Sequence, residues 1–542
     1  MYDGMIVSAP SVNEEIKDGV AVITGMASYE EADKLASTIR IGGLKLELEE
    51  LRSNVVGAQL GSEAIKTSLE AGAIGMALVV VFMIAVYFIP GLAASLALGI
   101  YVGLIVILLN AFDITLTLPG IAGIILSIGM AVDANVIIFA RIREELATGK
   151  TVQSSVKIGF QKALSAIIDG NVTTLIAALV LGIKGSGTVR GFAQTLALGI
   201  IVSMFTALFV TRMILKAFYA LGLKDAKFFG VAKEKKTVKF LSGRMVFFAL
   251  SLCVIIGGFI CMGVYQNSTG EALNYSLEFK GGTSTNITFN EDMTIEEIDE
   301  KVIPVIEEVT GDGNVQAQKV SGTNEVIIKT RTLSVDERET MNAALAENFG
   351  VDEEKITAET ISSTISSEMR NDAILAVIIA TACMLLYIWF RFKDVRFAAS
   401  AVIALLHDVL VVLAFYAVAR ISVGSTFIAC MLTIVGYSIN ATIVIFDRIR
   451  ENLGTAKKNA DLAEIENVSV TQTLSRSIFT SLTTFFMVAA LFALGVTSIR
   501  EFALPLMVGI LCGTYSSICL AGSLWYLFRT KIKGNSEKKK KG

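Results

Sequence analysis

At 542 residues the chain is too long for one domain, and with 53% hydrophobic against 18% charged residues and a mean hydropathy of +0.64 it is too apolar for a soluble one. The formal net charge of -3 decides little, because acidic residues crowd 276–367 while Lys and Arg crowd the short loops that follow every second apolar run. Six cysteines inside apolar runs and a single histidine exclude a disulfide framework and a histidine-rich metal site, and GKT at Gly149 lacks the upstream glycine of a phosphate-binding loop. We therefore expect a polytopic α-helical membrane protein with no metal, no cofactor, no nucleic-acid partner and no enzyme activity, whose work draws on a gradient or a partner.

Along the chain, residues 1–70 read as part of an α+β domain, with strand candidates at 21–25 and 44–48 around a helix over 28–39. Five apolar runs follow within 71–216, near 72–89, 91–110, 116–140, 163–184 and 189–214, with Pro90-Gly91 turning between the first two. Basic clusters at 141–162 and 216–244 flank alternate ends, which places both inside, makes 217–244 a cytoplasmic linker and puts the N-terminal domain outside. A sixth run over 245–266 leads to a polar insert over 267–370. Its pattern of strand (275–289, broken at Gly281-Gly282), helix (294–309), strand (315–320), strand (325–329), helix (334–348) and strand (355–361) predicts a ferredoxin-like βαββαβ domain, also outside. Five more runs occupy 371–530, near 372–390, 397–419, 423–446, 473–495 and 501–528, and 531–542 is a basic inside tail.

The chain repeats itself. GMAVDANVIIFARIREE at Gly129 recurs as GYSINATIVIFDRIREN at Gly436, and ALSAIIDGNVTTLIAAL at Ala163 as TLSRSIFTSLTTFFMVA at Thr473, with offsets of 307 and 310. Such copies share orientation and form parallel repeats, whose working site lies at the repeat interface. Parity then predicts one further helix and the start of its outside domain before Met1.

Asp133 stands in an otherwise apolar run, about 12 Å from the Arg141/Arg143 end at 1.5 Å per residue, near the middle of a hydrocarbon layer about 30 Å thick. A carboxylate there costs about 2.5–3.5 kcal/mol on insertion scales, so it faces a bundle interior, as an ion-coupling group or as a structural Asp tied to polar neighbours. Gly129 shares its face, and Gly123, Ser127, Ala131 and Asn135 form an adjacent small-residue stripe suited to close helix contact. Asp169, Asn171 and Arg476 are either a relay or counter-ion set for Asp133, or interhelical glue near the helix ends; Asn440 is the repeat-mate of Asp133. His407-Asp408 reads as an intramembrane polar pair, for packing or for shuttling. Thr173-Thr174 and Thr483-Thr484 are expected to bond back to their own helices.

Seven motifs carry a family resemblance: SAP at Ser8, LTLPGIAGIILSIGMAVDANV at Leu116, DGNVTTLIAAL at Asp169, GFAQTLALGIIVSMFTA at Gly191, FKGGT at Phe279, GYSIN at Gly436 and QTLSRSIFTSLTT at Gln472. Through them the chain resembles the fused SecD–SecF accessory subunits of the Sec protein-export channel, within the resistance-nodulation-division superfamily. The resemblance implies two parallel repeats of six helices, about eleven of which lie in this sequence, with outside domains that catch emerging polypeptide. It implies work driven by the proton or sodium motive force, with SecYEG and SecA, and YidC and YajC, as partners, unfolded preprotein as substrate, and a bacterial plasma membrane location with a cytoplasmic C-terminus. By position Asp133 matches the family's SecD-half aspartate and Arg476 its SecF-half arginine. The chain departs at Ala441, where many relatives carry aspartate, which throws weight onto Asp133. A small-molecule or lipid exporter of the same superfamily would need much longer outside domains; a passive assembly scaffold is the other alternative.

Overall fold

The computed structural model describes residues 8–10, 22–42, 51–55, 58–185, 187–232, 236–313, 315–320, 323–353, 356–392, 394–457 and 460–531, and the chain divides into two units, 1–51 and 52–542. The first unit holds α1 (Tyr29–Gly42), whose start is secured by Glu31 N–H donating to Ser28 Oγ at 3.2 Å and Ala27 N–H donating to the Glu31 carboxylate at 2.8 Å. Residues 22–25 form no strand, contrary to expectation; among the described residues of this unit no strand offers them a ladder. The expected strand at 44–48 lies outside the described residues.

The second unit opens with β1 (Arg52–Val55) and continues through α2 (Ala58–Tyr87), α3 (Ile89–Ala111), α4 (Leu118–Ala147), α5 (Val152–Lys184), α6 (Gly187–Phe205), α7 (Thr211–Ala220) and α8 (Arg244–Thr269). After a polar domain come α13 (Ser363–Phe392), α14 (Val395–Ala419), α15 (Ser425–Thr455), α16 (Leu462–Leu494), α17 (Thr497–Tyr515) and α18 (Gly522–Lys531). A π-helical stretch joins α6 to α7 (Thr206–Val210) and another joins α17 to α18 (Ser516–Ala521), so each pair is one span and, among the described residues, eleven helices are long and apolar enough to cross a membrane. Each expected apolar run falls in one of them to within two residues, and most helices extend further at one end or both, because caps as well as hydropathy set their ends: the Thr117 hydroxyl accepts from Gly120 N–H at 3.1 Å and Asp394 from Arg396 N–H at 2.9 Å. The turn before α3 pivots at Phe88, with φ +54°, and Gly91 then packs so closely that a Cβ would sit 2.0 Å from the Met83 carbonyl oxygen.

Burial separates two central helices from the rest. The most apolar stretches of α4 and α15 are 83% and 89% buried, against 11% for the Phe240–Ser268 span, which presents Phe259 and Ile260 outward as a lipid-facing helix does. The repeat-related pair α4 and α15 thus forms the axis of the bundle. Each packs on a helix of the other half: Gly129 of α4 lies on the Thr484 backbone of α16 and Gly436 of α15 on the Thr174 backbone of α5, an added Cβ falling 3.0 Å from the neighbouring Cα in both cases. At the ends of the same helices Arg141 reaches Glu451 at 3.0 Å while Arg448 bonds Glu144, the same pairing made twice by the duplicated RIRE sequence.

The polar domain runs α9 (Leu277–Lys280), β2 (Gly282–Thr288), α10 (Ile295–Glu297) continuing through a π turn into α11 (Ile303–Thr310), β3 (Gln316–Lys319), β4 (Glu325–Thr330), α12 (Val335–Phe349) and β5 (Thr357–Ile361). The sheet order is β1-β5-β2-β4-β3, every pairing antiparallel, and the helices cover it through Ile298, Val302, Ile306, Met341 and Leu345. The expected strand from 275 is corrected: 277–280 is a helical turn, and β2 begins only at Gly282, with Gly281 and Gly282 at φ +81° and +116°. The domain is tied to the membrane helices beyond its continuity with α13, since Val423 N–H donates to the Asn274 carbonyl at 2.7 Å and Ser425 bonds the Glu278 carboxylate through both N–H (2.7 Å) and hydroxyl.

Within it Glu337 closes the capping box of α12 with Ser334 and also accepts from the Arg331 guanidinium, which holds its carboxyl at about 2, below the usual carboxylate value of 4.5. A depressed folded-state value means stability present above the unfolded value and lost as pH falls from about 4.5 toward 2. We expect Glu337→Gln to weaken amide-exchange protection of α12 at pH 6–7, with the difference from wild type shrinking below about pH 4.5. A difference independent of pH would show that the carboxylate charge is immaterial.

Candidate functional site

The α4/α15/α16 contact places Asp133 among groups from the other half of the chain. Its Oδ2 accepts from Asn440 Nδ2 at 2.6 Å and its Oδ1 from Thr480 Oγ1 at 2.7 Å, and only 6% of its surface is exposed. Two hydrogen bonds to a charged acceptor contribute about 1.5–3 kcal/mol each, which is comparable to the cost of inserting the carboxylate and accounts for its tolerance in the bundle. Arg476 lies one turn before Thr480 on the same face of α16, close enough for Coulomb attraction to Asp133, and is 7% exposed. Its Nε and one terminal nitrogen have no hydrogen-bond partner among the described residues. The guanidinium therefore sits beside the carboxylate as a charge with unused donors.

The repeat makes the asymmetry of this site explicit. Asp133 matches Asn440 across the offset of 307, while Thr480 and Arg476 match Gly170 and Ala166 across 310. In the mirrored contact Asn440 leans on Gly170, where a Cβ would fall 2.0 Å from Asn440 Oδ1, and that oxygen accepts no hydrogen bond from the described residues. One copy of the interface carries the acid, its hydroxyl donor and its cation; the other carries an amide against glycine. Ala441 is buried beside Asn440 and offers no carboxylate.

Asp169 stands apart from Asp133, and its expected pairing there is corrected: it accepts from Tyr387 Oη at 2.8 Å and from Arg391 Nε, both on α13. Arg391 also approaches Asp447 at 3.5 Å, so the group is an interhelical ion cluster near the helix ends. Asn171 donates to the Ile167 carbonyl of its own helix at 2.8 Å and reaches neither Asp133 nor Arg476. The Thr173, Thr174, Thr483 and Thr484 hydroxyls donate to carbonyls of their own helices, as expected. His407 and Asp408 do form a pair, 2.9 Å apart, on α14 and away from Asp133. Sequence reasoning missed Thr480, whose only signal was its place one turn after Arg476, and Arg391, which reads as an ordinary basic flank. GKT lies in the α4–α5 turn, where Lys150 is engaged by Glu145 and Thr151 caps α5.

The family model for the C-terminal region of the protein export membrane proteins SecD and SecF matches residues 40–220 and again 341–531, and that for the SecDF P1 head subdomain matches 1–46. The protein translocase subunit SecDF of Bacillus subtilis is 35% identical over 96% of this chain and 72% of its own length. The chain belongs to the SecDF family of protein translocase subunits. The SecDF of Thermus thermophilus is also 35% identical, over 99% of the chain and 72% of its length. A crystal structure of SecDF from Thermus, described as a translocon-associated membrane protein, superposes with a TM-score of 0.82 at 34% identity, covering 97% of this chain and 70% of that one. A SecDF crystal structure in a super-membrane-facing form gives a TM-score of 0.70 at 33% identity, covering 96% and 69%. A SecDF-family chain is a multi-span transport component, which agrees with the eleven apolar helices found here.

Proposed function

We propose that this chain is an accessory subunit of the Sec translocase that spends a proton or sodium gradient on late, ATP-independent movement and release of preprotein at the outer face of a bacterial plasma membrane. The observation that carries this reading is Asp133, held between the two repeats by donors from the other half, with Arg476 and its unused donors beside it. When Asp133 is charged, Asn440, Thr480 and Arg476 favour one packing of the halves; when it carries a proton or faces a sodium ion, that preference weakens. One charge crossing 100 mV releases about 2.3 kcal/mol, which shifts a two-state equilibrium by about fifty-fold. The shift has a route outward, because α13 continues from β5 and the α14–α15 loop is bonded to the polar domain at Asn274 and Glu278. We read that domain as extracytoplasmic and ferredoxin-like, with the C-terminus cytoplasmic, and SecYEG, SecA, YidC and YajC as partners.

The test is export into inverted membrane vesicles whose only copy of SecDF is this chain, after ATP is exhausted. Imposing a gradient is expected to raise completed translocation several-fold. Repeating it with a sodium gradient at fixed pH identifies the ion. Equal export with and without either gradient would make the chain a passive scaffold.

A further inference from the structure

The second half holds another buried ionisable centre, on α14, that takes no part in the Asp133 contact. Asp408 is fully buried and is surrounded by donors from three elements: Ser438 Oγ of α15 at 2.5 Å, Ser516 Oγ of the π-helical stretch at 2.7 Å and Cys512 Sγ of α17 at 3.3 Å. His407 Nδ1 completes the set at 2.9 Å from Oδ1. An ionised carboxylate only accepts, so this network puts the imidazole proton on Nδ1. Nε2 then carries a lone pair, buried and without a partner among the described residues, in a side chain only 9% exposed. A carboxylate fixing one ring nitrogen while the other stays open is the arrangement in which histidine takes up and releases protons.

The surroundings favour that use. The ionisable groups around the pair are Cys512 and Tyr515, both of α17, the Tyr515 ring lying 6.0 Å from the imidazole and its hydroxyl donating to the Phe247 carbonyl of α8 at 2.8 Å. From α15, the π stretch and α8 the contacts are the serines Ser438, Ser516 and, through Tyr515, Ser251. Neither α13 nor α18, which also pack on α14, bonds to the pair, and no lysine or arginine does so among the described residues. The pair thus bears one uncompensated negative charge when Nε2 is bare and none when Nε2 is protonated. Its place beside a π-helical stretch also fits function, since such bulges inside long helices concentrate at working sites. Helix α3, in the corresponding place of the first half, contains no His, Asp, Glu, Lys or Arg.

We propose that His407, oriented by Asp408, is a second proton-loading site of this membrane protein, situated in the half that lacks a carboxylate at Ala441. Loading forms one N–H bond at Nε2 with a proton from one side of the membrane, and release breaks it toward the other; no electrons are exchanged. The inference rests on the ion-coupled reading above.

Because His407 is the only histidine in the chain, 15N-histidine labelling of the full protein in lipid nanodiscs gives one imidazole to follow by NMR. Over pH 5 to 9 Nδ1 is expected to stay protonated while the Nε2 signal changes between its protonated and bare forms, and Asp408→Asn is expected to alter that change. An Nε2 signal that is constant over the range, or that changes only when a chelator strips a metal from the protein, overturns the proposal, and the wild-type measurement needs no variant to fold. In the gradient-driven vesicle assay His407→Gln should lower export at least fivefold. If Asp133→Asn leaves export unchanged, the ion-coupled reading itself has failed; if Asp133→Asn abolishes it and His407→Gln does not lower it, only the second site has.

Discussion

An Asp133→Asn variant is expected to fold, to associate with the translocase and to lose gradient-stimulated export altogether, while ATP-driven export remains. The substitution is nearly isosteric and keeps the hydrogen bond from Thr480 Oγ1, whereas the side chain loses its charge and its capacity to bind a proton. At one amide position the Asn440 Nδ2 donor meets a second NH2 group unless the new side chain flips, a penalty of about 1 kcal/mol that the interface absorbs. The coupling, by contrast, vanishes entirely, because an amide does not distinguish the two sides of the gradient. Arg476→Met provides the complement: with no cation beside Asp133, the loaded state is favoured throughout, and stimulation should fall at least tenfold with assembly intact. Stimulation equal to wild type in both variants would remove this pair from the mechanism.

Gly129→Val should disrupt the bundle itself. Its Cβ would meet the Thr484 Cα at 3.0 Å, and that neighbour is backbone, so relief requires α4 and α16 to move apart. Overpacking of this kind costs about 1–3 kcal/mol, and separation of the helices also stretches both hydrogen bonds to Asp133. Gly436→Val should act in the same way through Thr174, 3.0 Å away on α5. Gly257→Ala, with nothing within 4 Å of its added Cβ, serves as the control. Thermal melting in detergent should show both valine variants well below wild type and the alanine variant within a degree or two. Equal melting of all three would mean that the repeats are not packed through these glycines.

The features that were legible in the sequence share a physical origin in local composition. Apolar runs of spanning length located every membrane helix, since the hydrocarbon layer selects length and hydropathy directly. Asp133 stood out because its cost is local too. The duplicated GxxxD/GxxxN segment foretold that α4 and α15 would be equivalent, and their common burial follows. The strand expected at 275–289 failed in its first part because two glycines with positive φ allowed a helical turn to precede β2, a choice made by docking onto Ser425 rather than by propensity. Asp169 misled for a similar reason: depth along a helix is readable, but the direction it faces depends on which helix lies beside it, and that helix is α13 with Tyr387 and Arg391.

By itself the sequence determined a duplicated, multi-span helical bundle with an expensive carboxylate at Asp133, because hydropathy, repeat spacing and the cost of a buried charge are properties of the chain alone. Only the tertiary structure decided what that carboxylate touches. Asn440 and Thr480 come to Asp133 from 307 and 347 residues away, and the same packing sets His407 and Asp408 among serines of α15 and the π-helical stretch. The contacts to Asp133 arise where glycines let the two halves approach to backbone distance, and a distance between helices is written in no single stretch of sequence.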